Sequence, residues 1–485
     1  MVTVAALSLL FGTFFAIAVP VGWGPDEAAQ FDRAYQVASG HFAPVRLPDV
    51  DGSRVYGGAV PSSAVALNSF AGPPGRAPAG GRPLFVSSAA RDAALARPVN
   101  AEPVVTWFPN TAAYSPVPYV PAAVGVRLAR LLDLDIGTAW RVMRLAQVLA
   151  YTLVVSLGML ALRAFRLRWP AMALALLPTA LYQTGVVSAD ALTNAVAFTF
   201  VALVTKAAVL LPRDEGRTLS RWEAAAMYGA AVALPLMKPT YVILSLLLLV
   251  VPRPAGPSPA RSRGARLLRA WPAAGALLLA VGGLLWWSSL SAGTADAMGW
   301  LRGPAQRHLV QPAEQLSYVL GHPLALPGIA VRTLAINDWI YLTSFLGQMG
   351  YGLSTNVVTS VAGATCTVVA LGVGLAHAGV GRAGRVRLTA MALVWLASVL
   401  AIFGTLYLAF TPLRASFVTG VQGRYFVPLG LLGVSVAAQL VRRRSPVAPT
   451  TARRLQRTIP LLCLAALVLA ALKYVAVMYL PWFHA

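Results

Sequence analysis

Two adjacent carboxylates, Asp26 and Glu27, stand six residues beyond an uncharged apolar stretch that runs from Val2 to Pro20. A positioned carboxylate can take a proton from a hydroxyl group. The stretch before it is long enough to cross a bilayer. The pair therefore lies at a membrane surface, where ionisable side chains seldom sit without a use. Two cations farther along the chain have complementary chemistry. Lys238 is one of only three lysines against 36 arginines, and Arg424 stands beside Tyr425. An ammonium group holds phosphate as a compact point charge, and a guanidinium can grip it with two parallel hydrogen bonds. Asp190 and Asn194 are one helical turn apart and can share a face.

Each of these residues also has a plainer reading. Asp26 could cap a helix that starts at Ala28, with Glu27 favouring its dipole. Lys238 could extend to lipid headgroups, and Arg424 could anchor an aromatic belt. Ser188 could cap the helix that carries Asp190 and Asn194. Arg33 could pair with Glu27 or bind phosphate. Trp107, Tyr114, Tyr119 and Trp339 could stack on sugar rings or anchor at the interface. Glu102 and Glu314 are weaker acid candidates, and His41, His308 and His322 show no metal-ligand spacing.

Composition defines the elements that must position these groups. The chain has 485 residues, of which 58% are hydrophobic and 11% charged. A soluble protein of this size carries about 25% charged residues. This is an all-α polytopic membrane protein. Hydropathy predicts about eleven spans, near 2–20, 140–162, 170–188, 191–211, 222–236, 239–252, 270–290, 355–379, 388–410, 425–441 and 458–480. The short pair that meets at Pro239 reads as a partial hairpin. The first span is expected to remain uncleaved, because it lacks a basic leader. Cys366 and Cys463 lie inside apolar spans and read as packing residues.

Charge gives the orientation. With the N-terminus cytoplasmic, the loops 163–169, 212–223, 253–269, 380–387 and 442–457 hold 20 arginines and only three acids, Asp214, Glu215 and Glu223. That bias fits the cytoplasmic side of a plasma membrane and explains the net charge of +23 without nucleic acid. Asp26 and Glu27 then face outward. Two long segments lie on the same side, 21–139 and 291–354. The first is rich in Pro and Gly from Ala71 to Pro83. It opens with a helical pattern from Ala28 to Ser39, with Phe31, Ala34, Tyr35 and Ala38 on one face, and its later apolar part reads as an interfacial helix. The whole of 1–485 reads as one transmembrane domain with no internal repeat.

Five short motifs carry a resemblance. Pro25-Asp26-Glu27 with Phe31-Asp32-Arg33-Ala34-Tyr35-Gln36, then Leu177-Pro178-Thr179, Ser188-Ala189-Asp190-Ala191-Leu192-Thr193-Asn194, Lys238-Pro239, and Gln422-Gly423-Arg424-Tyr425-Phe426-Val427-Pro428 occur in order along nearly the whole chain. This pattern resembles the bacterial membrane family called domain of unknown function 2142, which is grouped with the GT-C glycosyltransferases. One departure is Ala28-Ala29-Gln30, where the family more often has Pro-Ala-His. The resemblance implies a GT-C-like fold and transfer of a sugar from a polyprenyl-phosphate carrier to a cell-envelope glycan, lipid or protein acceptor. It also implies an acidic residue in the first outer loop, a place that Asp26 takes.

That chemistry gives the residues roles. Inverting transfer needs a base for the acceptor hydroxyl, and its oxocarbenium-like transition state is stabilised by a nearby carboxylate. Asp26 and Glu27 fit those needs. Lys238, Arg424, Tyr425 and Arg33 would hold the phosphate, with Asp190 and Asn194 in the same cavity. The pattern names no certain cofactor. A divalent cation bridging Asp26 and phosphate is compatible with the pattern, though it rests on one carboxylate pair. The competing functions are a lipid-linked glycan flippase or transporter and a glycan polymerase or ligase. A transporter is expected to hold ionisable groups near mid-membrane, where, away from span ends, these spans place only Lys206 and Lys473.

Overall fold

The computed structural model describes residues 1–50, 53–71, 84–211, 218–252, 263–294, 309–350, 357–378, 384–441 and 449–480. Most of the Pro/Gly-rich stretch Ala71 to Pro83, much of the basic loops 212–223, 253–269, 380–387 and 442–457, and Trp300 and His308 lie outside them. The chain is mostly helical. Six helices position the site: α1 (Val2–Ala18), α2 (Glu27–Ala38), α3 (Ile136–Ala161), α4 (Ala189–Thr205), α5 (Arg221–Met237) and α6 (Val427–Leu440).

Local chemistry explains where several of them begin and end. Asp135 caps α3 by accepting from the Thr138 amide at 2.8 Å, and Ser188 caps α4 by accepting from the Asp190 amide at 3.0 Å. Ser220 and Glu223 form a capping box at the start of α5. The far end of α5 is set by Pro239. A residue before proline is pushed out of the helical region, and Lys238 is extended, with φ −145° and ψ 128°. The chain therefore turns at Lys238.

Among the described residues each predicted span contains helix, but not always one helix, and 355–379 opens with the short strand Val357–Val358 before its helix Val361–Ala376. The 170–188 segment is two pieces, Arg168–Ala175 and Pro178–Thr184, separated by a break at Leu177. The 239–252 segment is a run of 3-10 and α turns. Among the described residues, five helices are long and apolar enough to cross a membrane, or six if Pro312–Gly321 and Ala325–Gly347, bent by 107°, form one span. That bent pair lies inside 291–354, read from the sequence as an outer loop. Of the spans, Ala189–Leu210 is the most enclosed, with 83% of its apolar window buried, against 17% for Pro272–Leu290. The helix α4 thus runs through the middle of the bundle.

The first long segment packs as a second hydrophobic cluster beside the bundle. It is built from α2, the helix Val120–Leu131, the start of α3 and a sheet absent from the all-α expectation. The sheet is antiparallel, in the order β1 (Val45–Val50), β2 (Ser53–Pro61), β3 (Pro103–Trp107). Gly57 opposes Trp107 across β2 and β3, and a Cβ there would lie 2.7 Å from the Trp107 Cα. Only glycine permits that approach. The predicted apolar face of α2 is buried as expected, and Phe31 stacks on Trp140 of α3 with ring centroids 4.2 Å apart. Gln36, from the next turn of α2, donates to the Gly57 carbonyl at 3.1 Å and ties the sheet to the helix.

Candidate active site

Asp26 occupies a backbone position that few side chains tolerate. Its φ is +52° and ψ is 23°, the left-handed region, and its side chain makes no capping hydrogen bond to α2. Asp and Asn are the non-glycine residues most often found there, and such strain collects at functional sites. The helix-cap reading of Asp26 therefore does not hold. The residue is exposed at the edge of a cavity of about 400 Å3.

Glu27 is placed very differently from its neighbour. It is 1% exposed and accepts four hydrogen bonds. One oxygen accepts from Arg144 Nε and the Val187 amide, both at 2.8 Å. The other accepts from Arg144 Nη2 at 2.7 Å and the Gly24 amide at 2.9 Å. A carboxylate has about four lone-pair sites, and all are taken. Arg144 is equally saturated. Its remaining N–H groups donate to the carbonyls of Ala16, Val19 and Pro20 at 3.1, 2.6 and 3.0 Å. These carbonyls lie at or just past the C-terminal end of α1, where helices leave acceptors without partners. One buried ion pair thus joins α1, the turn before α2, α3 and the start of α4, and fixes the backbone that presents Asp26.

The expected cations come together from distant parts of the chain. Lys238 forms an ion pair with Asp190 of α4. Its Nζ lies 5.1 Å from the Tyr425 ring centroid and 6.0 Å from that of Tyr114. Arg424 covers the same Tyr425 ring, with Cζ at 5.4 Å. The charged neighbours of Arg424 include Asp190 and Asp26. The Arg424 Nε is buried and has no hydrogen-bond partner among the described residues. The Tyr425 backbone is held by the Tyr241 hydroxyl, which donates to its carbonyl at 3.0 Å. Asn194 reaches Asp190 through an intermediary. Asn194 donates to Gln183 Oε1 at 2.9 Å, and Gln183 donates to Asp190 Oδ2 at 3.3 Å.

Arg33 does not join this group. It is fully buried, and its five N–H donors go to Gln36 and to the carbonyls of Tyr114, His41 and Phe42. Neither the expected pairing with Glu27 nor a free donor for phosphate remains. Burial lowers its pKa to about 10. Its effect is to fix the Tyr114 backbone, whose ring faces Lys238. Tyr119 donates to Gln30 Oε1 at 2.5 Å, and the Ala189 amide donates to the same oxygen at 3.3 Å. The glutamine at the departure from the family pattern is thus a buried joint between α2, Tyr119 and α4. Trp339 is 66% exposed.

Two features were not read from the sequence. Arg144 stands inside a predicted span near its end, and a charge there demands a partner that hydropathy does not name. Asp32 lies within a quoted motif but was given no role. It is 4% exposed, lines the same cavity as Asp26, and makes no hydrogen bond or ion pair among the described residues. Burial pushes its carboxyl up to about 8, so it holds its proton at neutral pH. Among the described residues no three His, Cys, Asp or Glu side chains are grouped so as to hold a metal ion.

Comparison with known proteins gives one family and one distant structure. The family model of a predicted membrane protein (DUF2142) matches residues 9–433. A comparison with curated proteins finds no match. The chain is similar to the crystal structure of ArnT from Cupriavidus metallidurans bound to undecaprenyl phosphate. The identity is 14% and the TM-score 0.40, over 98% of this chain and 76% of that one.

Proposed function

Starting from a chain that belongs to the predicted membrane protein family DUF2142, we propose that it is a glycosyltransferase acting at the extracytoplasmic face of the plasma membrane. It moves a sugar from a polyprenyl-phosphate carrier to a cell-envelope glycan, lipid or protein acceptor. The observation that carries the reading is an exposed carboxylate on a fixed backbone near a cation whose buried Nε has no hydrogen-bond partner among the described residues. Asp26 is the carboxylate, and Arg424 is the cation.

The reaction inverts the sugar carbon. Asp26 takes the proton of the acceptor hydroxyl as that oxygen bonds to the anomeric carbon. The bond from the anomeric carbon to the phosphate oxygen breaks, and the electron pair leaves with the polyprenyl phosphate. Arg424 and Lys238 receive the growing negative charge, Arg424 through its free donor and Lys238 as a point charge beside Asp190. The two cations share one aromatic ring, which fixes their spacing before substrate arrives. Glu27, with every lone pair used, positions Asp26 rather than reacting itself. Asp190 and Asn194 set the orientation of Lys238 through Gln183.

The excess of arginine in the loops read as cytoplasmic supports a site on the outer face, with the N-terminus inside. The experiment is transfer from a labelled polyprenyl-phosphate sugar by purified protein and its Asp26→Asn variant. The reading requires transfer by the parent protein and its near-complete loss in the variant.

A further inference from the structure

We propose that the cavity beside Asp26 is a carbohydrate subsite, in which Trp107 stacks on a sugar ring while Asp32, Asn68 and Asn110 bind its hydroxyls and turn one of them towards Asp26. This rests on the reading of Asp26 as base and adds the chemical class of the acceptor.

Three observations support it. The volume, about 400 Å3, lies within the range of small-ligand sites. The lining is mostly apolar, as a sugar ring's faces require, and carries a few neutral polar groups. Thr106, Asn68 and Asn110 are neutral groups that both donate and accept hydrogen bonds, matched to vicinal hydroxyls. Asp32 completes the set. It is more than nine-tenths buried, lines the cavity and has no hydrogen-bond partner among the described residues. Its carboxyl lines the cavity, where a ligand hydroxyl can bond to it. Of the three carboxyl groups in the lining, Glu27 is spent on Arg144, which leaves Asp26 and Asp32 to meet a ligand. The fold also builds the aromatic wall deliberately. The indole of Trp107 is 51% exposed at the end of β3, at the position where Gly57 of β2 allows the two backbones to close up.

The geometry also divides the site. Ala29 and Asp32 follow Asp26 along α2 at helical spacing and line the cavity with it. Arg424 and Lys238, which gather on Tyr425, are not among its lining residues. Asp26 belongs to both groups, since it lines the cavity and is a charged neighbour of Arg424, so a sugar hydroxyl held in the cavity would meet it beside the cations that take the carrier phosphate.

The test uses the full-length protein in lipid nanodiscs and saturation-transfer NMR. The probes are the methyl glycosides of glucose, galactose, mannose, N-acetylglucosamine and arabinose. At least one should be saturated by the parent protein. Its signal should fall roughly tenfold or more in Trp107→Ala and in Ala29→Leu, which fills the cavity from α2 without touching the buried ion pair. Asp32→Asn, which keeps a donor, should retain more binding than Asp32→Leu. Undecaprenyl phosphate binding by the same preparations reports separately on the donor side. Saturation of no glycoside by a protein that still binds undecaprenyl phosphate would overturn the subsite and leave the transferase reading standing. Glycoside binding unaffected by both Trp107→Ala and Ala29→Leu would do the same. Glycoside binding with no affinity for undecaprenyl phosphate would support the subsite and remove the donor side of the proposed function.

Discussion

Glu27 and Arg144, 117 positions apart, form a fully buried two-pronged ion pair at 2.8 and 2.7 Å, and neither side chain has an unsatisfied group. Breaking such a pair from one side leaves the other charge buried and alone, which costs about 3–5 kcal/mol. Glu27→Gln, which keeps the shape, should therefore lower the thermal midpoint of the detergent-solubilised protein sharply. Replacing Arg144 as well, as Glu27→Gln with Arg144→Met, should not restore stability, because the carbonyls of Ala16, Val19 and Pro20 then lose their donors. A Glu27→Gln protein as stable as the parent would mean that the pair does not hold the turn at Asp26.

The buried Asp32 makes stability depend on pH in an unusual direction. Its carboxyl ionises near 8 in the folded state and near 3.8 when exposed. Between those values the folded protein holds a proton that the unfolded chain has released. Stability from this residue is thus fully present at low pH and is lost as pH rises through that window, levelling off above about 8, with a slope approaching about 1.4 kcal/mol per pH unit. Asp32→Asn removes the slope and should be the more stable protein at pH 8. Parallel stability curves for parent and variant from pH 5 to 8.5 would show that Asp32 is not held protonated.

Arg424 should matter for the carrier phosphate without holding the fold together. Arg424→Met should weaken binding of a polyprenyl phosphate about 10- to 100-fold, a larger effect than the loss of stability from its contacts with Tyr425 and its charged neighbour Asp190. Lys238→Met is a less clean test, because it strands Asp190; pairing it with Asp190→Asn corrects that. Equal binding by Arg424→Met and parent would remove Arg424 from the donor site.

Orientation can be read by labelling. In a Cys366→Ser background, Val86→Cys should react with an impermeant thiol reagent on intact cells and Thr450→Cys should not. Val86 is exposed in the long segment that carries Asp26, and Thr450 lies in the arginine-rich 442–457 segment. The reverse pattern would place Asp26 in the cytoplasm.

Helices were legible because hydropathy and period speak directly. The first was expected over 2–20 and is Val2–Ala18, and the amphipathic pattern Ala28–Ser39 is Glu27–Ala38. Their breaks were less so, since Leu177 before Pro178 interrupts what hydropathy reads as one span. The sheet was hidden because its strands carry Pro, Gly and Asp and pair β2 with β3 across some forty residues of sequence. The site was legible as residue types and not as partners. Asp26, Asp190, Lys238 and Arg424 stand out as charges beside apolar runs. Nothing local says that Glu27 belongs to Arg144 while Arg33 is consumed by backbone carbonyls. Such pairings depend on which helices meet, and only the fold contains that.

The most direct test of the central claim is turnover by Asp26→Asn. Asn tolerates the left-handed backbone that Asp26 adopts, so the variant should fold and insert normally. It cannot accept the acceptor proton, so transfer from a labelled polyprenyl-phosphate sugar to the native acceptor should fall by roughly two to four powers of ten. Asp26→Glu should recover little, because the longer side chain displaces the proton acceptor. Near-parental turnover by a well-folded Asp26→Asn protein would contradict the account and remove Asp26 from the mechanism.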